Sequence, residues 1–107
     1  MRSLKQEVVV ITGASAGVGR ATARAFARRG ARIGLIARGV DGLKATRREV
    51  MELGGEAIAI SCDVADAAAL DDAAEEVEAT FGPIDVWINV AFAGIMAPFL
   101  ETPLEDY

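Results

Sequence analysis

Residues 12–19 of the chain read TGASAGVG, and this stretch decides how the sequence around it is interpreted. A short β-branched run at residues 8–11 comes directly before it, and a helical pattern begins at Val18. Gly13 fits the sharp turn off a strand, Gly17 lets backbone approach a ligand without a Cβ in the way, and Gly19 allows close packing of the helix. The N–H groups and dipole of a helix that begins here form an anion site suited to a pyrophosphate.

The remaining sequence repeats this strand and helix alternation. Short apolar runs at residues 33–37, 57–62 and 86–90 predict three further strands. Helical patterns separate them, one ending at Gly30, one over residues 41–53, and one with Asp66 as its N-cap candidate. The order β-α-β-α-β-α-β with right-handed crossovers predicts an α/β fold with a parallel sheet and helices on both faces.

Apolar spacing also predicts which side chains form the core. In the first helix the inward stripe is expected to comprise Val18, Ala21, Thr22, Ala25 and Phe26. Trp87 and Phe81 are interpreted as core residues too.

Composition excludes several classes of protein. The chain has 107 residues, enough for one small domain, and a net charge of −5, which argues against general nucleic-acid binding. It has no apolar run of about 18 residues, so no membrane association is expected. The single cysteine, Cys62, fits a reducing cytoplasm. The absence of histidine excludes Ser-His-Asp and Cys-His catalysis, and no metal site is predicted.

Charges are unevenly distributed along the chain. All eleven Lys and Arg residues lie at or before Arg48, and fourteen of the sixteen acids follow it. This distribution fits either a basic surface for an anionic ligand or helices of opposite sign that face each other or water, and we favour the second interpretation for most of these residues.

Three motifs together resemble the short-chain dehydrogenase/reductase family. They are the Thr-Gly-x-x-x-Gly-x-Gly pattern of residues 12–19, the Asp-Val pair at 63–64, and the DVWIN segment at 85–89. The resemblance implies a Rossmann-type, doubly wound sheet with strand order 3-2-1-4 and the cofactor at the carboxyl ends of strands 1 and 4. It also implies that residues 1–107 are the amino-terminal part of a longer single-domain enzyme that forms a homo-oligomer.

The end of the second strand bears on cofactor preference. In a dinucleotide fold, an acid about twenty positions after the glycines binds the adenosine ribose. Here Ala37 occupies that place and Arg38 follows, so a guanidinium is available for the 2′-phosphate of NADP(H), which favours NADP(H) over NAD(H). Ser15 is a plausible second donor to that phosphate. The alternative is a solvated arginine at a strand end.

The resemblance implies roles for residues of the later strands. Asp63 accepts a hydrogen bond from the adenine amino group while Val64 packs against the ring; the alternative for Asp63 is a cap of the third helix. Asn89 ties the fourth strand to its neighbours and approaches the cofactor ribose. The segment after Asn89 reads Val-Ala-Phe where the family has Asn-Ala-Gly. The predicted cofactor-binding set is Gly13, Ser15, Gly17, Val18, Gly19, Arg38, Asp63, Val64, Asn89 and Ala91.

No catalytic residue is predicted in this chain. The family uses a tyrosine with a lysine four residues later, and the only tyrosine here is Tyr107, the last residue. We therefore expect hydride transfer between NADP(H) and a small-molecule alcohol or carbonyl substrate in a longer protein, and an inactive chain in isolation. Two alternatives stay open: a stand-alone nucleotide-binding or regulatory module, and a methyltransferase that uses the same fold.

Overall fold

Four strands and three helices alternate along the chain. The computed structural model describes residues 6–90. The strands are Val8–Thr12 (β1), Arg32–Ala37 (β2), Glu56–Ser61 (β3) and Val86–Asn89 (β4), and the helices are Gly17–Ala27 (α1), Val40–Glu52 (α2) and Ala67–Phe81 (α3). Each predicted strand agrees with the observed one to within a residue at either end. Within residues 6–90, no helix is long and apolar enough to cross a bilayer.

The strands form one parallel sheet in the order β3-β2-β1-β4, which confirms the predicted topology. Thr12, the last residue of β1, is aligned with Ile36 of β2 on one side and with Asn89 of β4 on the other. The chain moves outward from β1 through β2 to β3 and then crosses to the opposite side for β4. The carboxyl ends of β1 and β4 therefore meet where the strand order reverses, the usual place for a ligand crevice.

Helices cover both faces of the sheet, because the strand residues that point to either face are apolar. Val9 and Ile11 of β1 belong to the buried cluster under α1 and α2, whereas Val8 and Val10 pack with Val77 of α3. All four β1 valine and isoleucine side chains are buried. Burial on both faces explains why β1 reads as a continuous apolar run rather than an alternating one.

The predicted inward stripe of α1 is wrong. The buried residues of this helix are Gly19, Ala23 and Ala27, while Val18 is 62% exposed. Ala21 and Ala25, also expected in the core, are exposed, and Thr22 and Phe26 are half-buried. Small residues at i, i+4 and i+8 let the helix axis approach the sheet more closely than a stripe of larger side chains would. The predicted and the observed sets of residues both recur with the helical period, so periodicity alone does not show which set faces the sheet.

The prediction that Trp87 belongs to the core is also wrong, since the side chain is 37% exposed. On this face of the sheet α3 packs over β2 and β1, whereas Trp87 lies on β4. Its indole N–H donates to Oδ1 of Asn89 at 2.9 Å. Phe81, by contrast, packs against the cluster under α3 as expected.

Candidate functional site

The turn between β1 and α1 is fixed on both sides by neighbouring strands. The Gly13 N–H donates to the Ile36 carbonyl at 2.8 Å, and the Val90 N–H donates to the Thr12 carbonyl at 3.2 Å. Gly13 has φ +76°, and a Cβ built there would lie 3.0 Å from the Val90 oxygen. Backbone conformation and space both favour glycine at this position, as the predicted sharp turn requires.

Gly19 allows the start of α1 to fold back against the turn that precedes it. A Cβ at residue 19 would lie 2.0 Å from the Gly13 carbonyl oxygen and 3.0 Å from the Ala14 Cα. No side chain fits there. The sequence predicted close packing of the helix against the sheet, and the structure shows that the close contact is with the glycine turn itself.

Gly17 is exposed and, unlike Gly13 and Gly19, has free space around it. It has φ +59°, and a Cβ there would meet no atom within 4 Å. Its neighbours Ala16 and Val18 are exposed as well, and Ala16, the N-cap of α1, provides no side-chain hydrogen bond to the first-turn amides. The corner therefore presents open space and bare N–H groups with the positive end of the helix dipole, which is what an anionic diphosphate needs.

Ser15 and the start of α2 lie against each other beside this corner. A Cβ at Gly39 would lie 3.7 Å from Oγ of Ser15, and one at Gly42 would lie only 2.5 Å from the Ser15 carbonyl oxygen. Arg38, directly before Gly39, is exposed, and its carbonyl accepts a hydrogen bond from the Ser61 hydroxyl at 3.1 Å. Ser15 thus lies beside Gly39, the residue that follows Arg38.

Asp63 and Val64 follow β3 at the same edge of the sheet. Asp63 is exposed, and its Oδ1 accepts a hydrogen bond from the Ala65 N–H at 3.0 Å. The alternative role for Asp63 as the helix cap is wrong: Asp66 is the N-cap of α3, and its side chain accepts from the Ala69 N–H at 3.1 Å. The Val64 side chain is 47% exposed.

Asn89 links β4 to β1 through its side chain. Its Oδ1 accepts a hydrogen bond from the Thr12 hydroxyl at 3.0 Å, in addition to the bond from Trp87. The amide oxygen therefore holds the ends of two adjacent strands together beside Gly13. Ala91, the remaining residue of the predicted set, lies outside the described residues, and so does Tyr107.

One buried residue at this site was missed by sequence reasoning. Thr46 of α2 is fully buried, and its hydroxyl lies 2.9 Å from the Ala14 carbonyl oxygen of the glycine turn. A threonine in the middle of a helix has no sequence signal that marks a contact 32 residues away in the chain.

Ion pairs join α1 to α2 beside the site. Glu49 accepts hydrogen bonds from Arg20 and from Arg24, the latter at 3.1 Å. The hydrogen bonds from Arg20, and then those from Arg24, lower the pKa of Glu49 to about 2. Two of the basic residues of α1 thus pair with an acid of the neighbouring helix, as we favoured for most of the charges.

The chemistry of Cys62 argues against a nucleophile. Burial, followed by the nearby carboxylates of Asp66 and Asp63, raises the pKa of its thiol. Its side chain is half-buried and packs with the cluster under α3. A thiol with a raised pKa is a poor nucleophile near neutral pH.

Comparison with known proteins places this geometry in a family. Residues 7–107 match the family described as short chain dehydrogenase. The D-threitol dehydrogenase of Mycolicibacterium smegmatis is 40% identical over 107 residues, covering 97% of this chain and 40% of its own. The chain spans 30–40% of the length of three such curated relatives.

Solved structures agree in fold. A metagenomic short-chain oxidoreductase in complex with NADP superposes with a TM-score of 0.78 at 42% identity, covering 89% of this chain and 43% of that one. An NADH-dependent reductase complexed with NAD superposes with a TM-score of 0.74 at 32% identity, covering 87% and 39%. From the parallel sheet, the glycine corner and these matches, we conclude that the chain belongs to the short-chain dehydrogenase family.

Proposed function

We propose that this chain carries the cofactor-binding part of an oxidoreductase that transfers hydride between NADP(H) and a small-molecule alcohol or carbonyl compound. The observation that carries the proposal is the corner at Gly17, where open space meets uncapped helix amides. Those amides would hold the diphosphate, and the nicotinamide would supply the hydride chemistry when bound. The solved relatives bound to NADP and to NAD support use of a nicotinamide cofactor.

Preference for NADP(H) is argued from the residues after β2. Ala37 is buried at the end of the strand and offers no carboxylate to the ribose hydroxyls, while the exposed Arg38 offers a guanidinium. A guanidinium binds a phosphate through two charge-assisted hydrogen bonds. The Ser15 hydroxyl, close to Gly39, is the second donor we assign to the 2′-phosphate.

The remaining predicted contacts concern the adenosine and the ribose. The Asp63 carboxylate and the exposed Val64 side chain would contact the adenine, because both follow β3 at the carboxyl edge of the sheet. Val18 at the exposed start of α1 would contact the cofactor, and Asn89 with Ala91 would border the ribose. Asn89 is held beside the glycine turn, because the Thr12 hydroxyl donates to Asn89 and the Val90 N–H donates to the Thr12 carbonyl.

Catalysis, assembly and location are proposed on the same basis. The tyrosine followed four residues later by a lysine, which the family uses for proton transfer, does not occur in residues 1–107, so the 107-residue chain is predicted to bind dinucleotide without turning over substrate. The intact enzyme is proposed to be a cytoplasmic homo-oligomer that acts on small molecules.

Arg38→Asp tests the cofactor preference. Dissociation constants of the 107-residue chain for NADPH and NADH would be measured by cofactor fluorescence. We expect wild type to bind NADPH more tightly, and Arg38→Asp to weaken NADPH about 10–100-fold, because a hydrogen-bonded charge pair is lost and a repulsive charge is added. NADH affinity should change little.

Arg48→Asp is the matched control, because Arg48 is an exposed arginine of α2 and the change in net charge is the same. It should leave the ratio of the two dissociation constants near that of wild type. An equal loss of NADPH affinity in both variants would show that net charge, and not Arg38, sets the preference. A wild-type chain that binds neither dinucleotide would refute the proposed function.

A further inference from the structure

The hydroxyl of Thr46 lies beneath the glycine turn within reach of two acceptors. Its Oγ1 is 2.9 Å from the carbonyl oxygen of Ala14 and 2.9 Å from that of Gly42, but it has only one proton to donate. Gly42 lies four residues earlier in α2, so the Thr46 backbone N–H serves its carbonyl in the regular helical pattern. Within residues 6–90, the buried Ala14 carbonyl has no backbone donor. The hydroxyl proton is therefore needed at Ala14.

A hydrogen bond to the Ala14 carbonyl also sets the direction of the next amide. The carbonyl of Ala14 and the N–H of Ser15 belong to one planar trans peptide unit, in which the two bonds point in opposite directions. Because Thr46 holds the carbonyl toward the buried face of α2, the Ser15 N–H points away from it. Across the described part of the chain, this N–H has no backbone acceptor.

The surroundings of Ser15 connect this amide to cofactor preference. A Cβ at Gly39 would lie within 4 Å of the Ser15 side chain, and Arg38 is the residue before it. Gly13 and Ala14 donate their own N–H groups to Ile36 at 2.8 and 3.4 Å, so these two amides are already used by the fold. Ser15 is thus the first residue of the turn whose N–H is not used by a backbone carbonyl of the fold.

We propose that Thr46 is a positioning residue that fixes the Ala14–Ser15 peptide plane and so directs the Ser15 N–H toward the phosphate held by Arg38. This inference rests on the proposed NADP(H) function and extends it to a residue that touches no cofactor. Loss of the hydroxyl leaves the Ala14 carbonyl unsatisfied, and the peptide plane becomes free to turn toward a new donor.

The test compares Thr46→Val, which keeps the shape and removes the hydroxyl, with Thr46→Ser, which keeps the hydroxyl. Dissociation constants for NADPH and NADH would be measured with the 107-residue chain, alongside the thermal midpoint. We expect Thr46→Val to weaken NADPH about 10-fold and NADH less, and Thr46→Ser to restore the wild-type ratio. A lower midpoint in Thr46→Val with an unchanged NADPH to NADH ratio would mean that Thr46 only stabilises the fold, and would overturn the inference.

A second measurement uses wild type alone and does not depend on how well a variant folds. In NMR spectra, NADPH is expected to shift the Ser15 amide proton downfield as it donates to phosphate, and NADH to shift it less. NADPH binding without movement of this resonance would overturn the inference while the proposed function stands. If wild type binds neither dinucleotide, the proposed function fails and the inference fails with it.

Discussion

A glycine with positive φ lies near each end of α1, but the backbone hydrogen bonding differs between the two ends. Gly17 at the start has φ +59° and Gly30 just after the end has φ +78°, and a Cβ at either would meet nothing within 4 Å. At the far end the chain satisfies its own backbone: the Gly30 N–H donates to Ala27 at 2.9 Å, and the Ala31 N–H donates to Phe26 at 3.2 Å. At the near end Ala16 gives the first amides no cap.

This difference separates a requirement of folding from a requirement of binding. A C-terminal glycine that closes a helix with its own hydrogen bonds needs no ligand to explain it. An uncapped start is a cost that a small polar residue would remove, and the chain does use such a cap at Asp66 of α3. α2 likewise begins without a side-chain cap, at Gly39, so the missing cap of α1 supports a ligand there only together with the open space at Gly17.

The largest effect is expected from Gly19→Ala, which disrupts the turn at the start of α1. The new Cβ would overlap the Gly13 carbonyl at 2.0 Å, so the turn must open. We expect a loss of about 3 kcal/mol or more in the free energy of unfolding, together with loss of NADPH binding. Chemical denaturation and cofactor fluorescence would measure the two effects.

Gly55→Ala is the matched control for this substitution. Its Cβ would lie 3.0 Å from the Ala31 oxygen, at the opposite edge of the sheet, before β3. It should destabilise the chain by about 1–2 kcal/mol and leave NADPH affinity unchanged. Normal stability and binding in Gly19→Ala would contradict the observed turn.

Ala16→Asp should make the near end of α1 resemble the start of α3. Ala16 already has the extended backbone of an N-cap, so an aspartate there can accept from the first-turn amides. We expect a gain of about 1 kcal/mol in the free energy of unfolding and a loss of NADPH affinity of at least 10-fold, because the amides are occupied and the charge repels phosphate.

Ala16→Asn separates capping from charge in this experiment. It should retain most of the stability gain and lose less affinity than Ala16→Asp. A variant that gains stability and binds NADPH as tightly as wild type would mean that these amides are not the phosphate site.

The smallest effect concerns the attachment of α1 to α2 through Glu49. Its pKa is lowered from 4.5 to about 2 in the folded chain, so its contribution to stability is full above pH 4.5 and is lost as the pH falls toward 2. The Glu49 side chain is half-buried and its arginine partners are partly open to solvent, which screens the charges, so the effect should be small. Thermal midpoints between pH 7 and pH 2 should fall more for wild type than for Glu49→Gln. Equal slopes below pH 4.5 would contradict this account of Glu49.

The sequence was sufficient for the fold because its local and global signals agree. The apolar runs, the Asp66 cap and the glycine after α1 each mark an element, and the right-handed crossover rule then leaves few topologies. The sequence was insufficient where burial depends on how one helix or strand packs against another. Ala23 and Ala27 are buried in place of Val18 because of how closely α1 approaches the sheet. This distance cannot be predicted from the sequence of one helix.

In the candidate site, too, some features could be predicted from the sequence and others depend on packing. The glycine turn could be predicted because its residue types and spacing are specific, and its three glycines do have three distinct environments. The contact of Thr46 with Ala14 could not, since it depends on the distance between α2 and the turn. The exposure of Trp87 was missed because the cover over β4 is likewise a property of packing.

The comparison between Gly17→Ala and Gly30→Ala tests the central claim most directly. Both substitutions place an alanine in a left-handed backbone conformation that faces open space, so each should lower the free energy of unfolding by about 1 kcal/mol. Measured with the 107-residue chain, NADPH affinity should fall about 10-fold or more in Gly17→Ala and stay at the wild-type value in Gly30→Ala. Equal affinities in the two variants would contradict the account, because the two ends of α1 would then serve the fold alone.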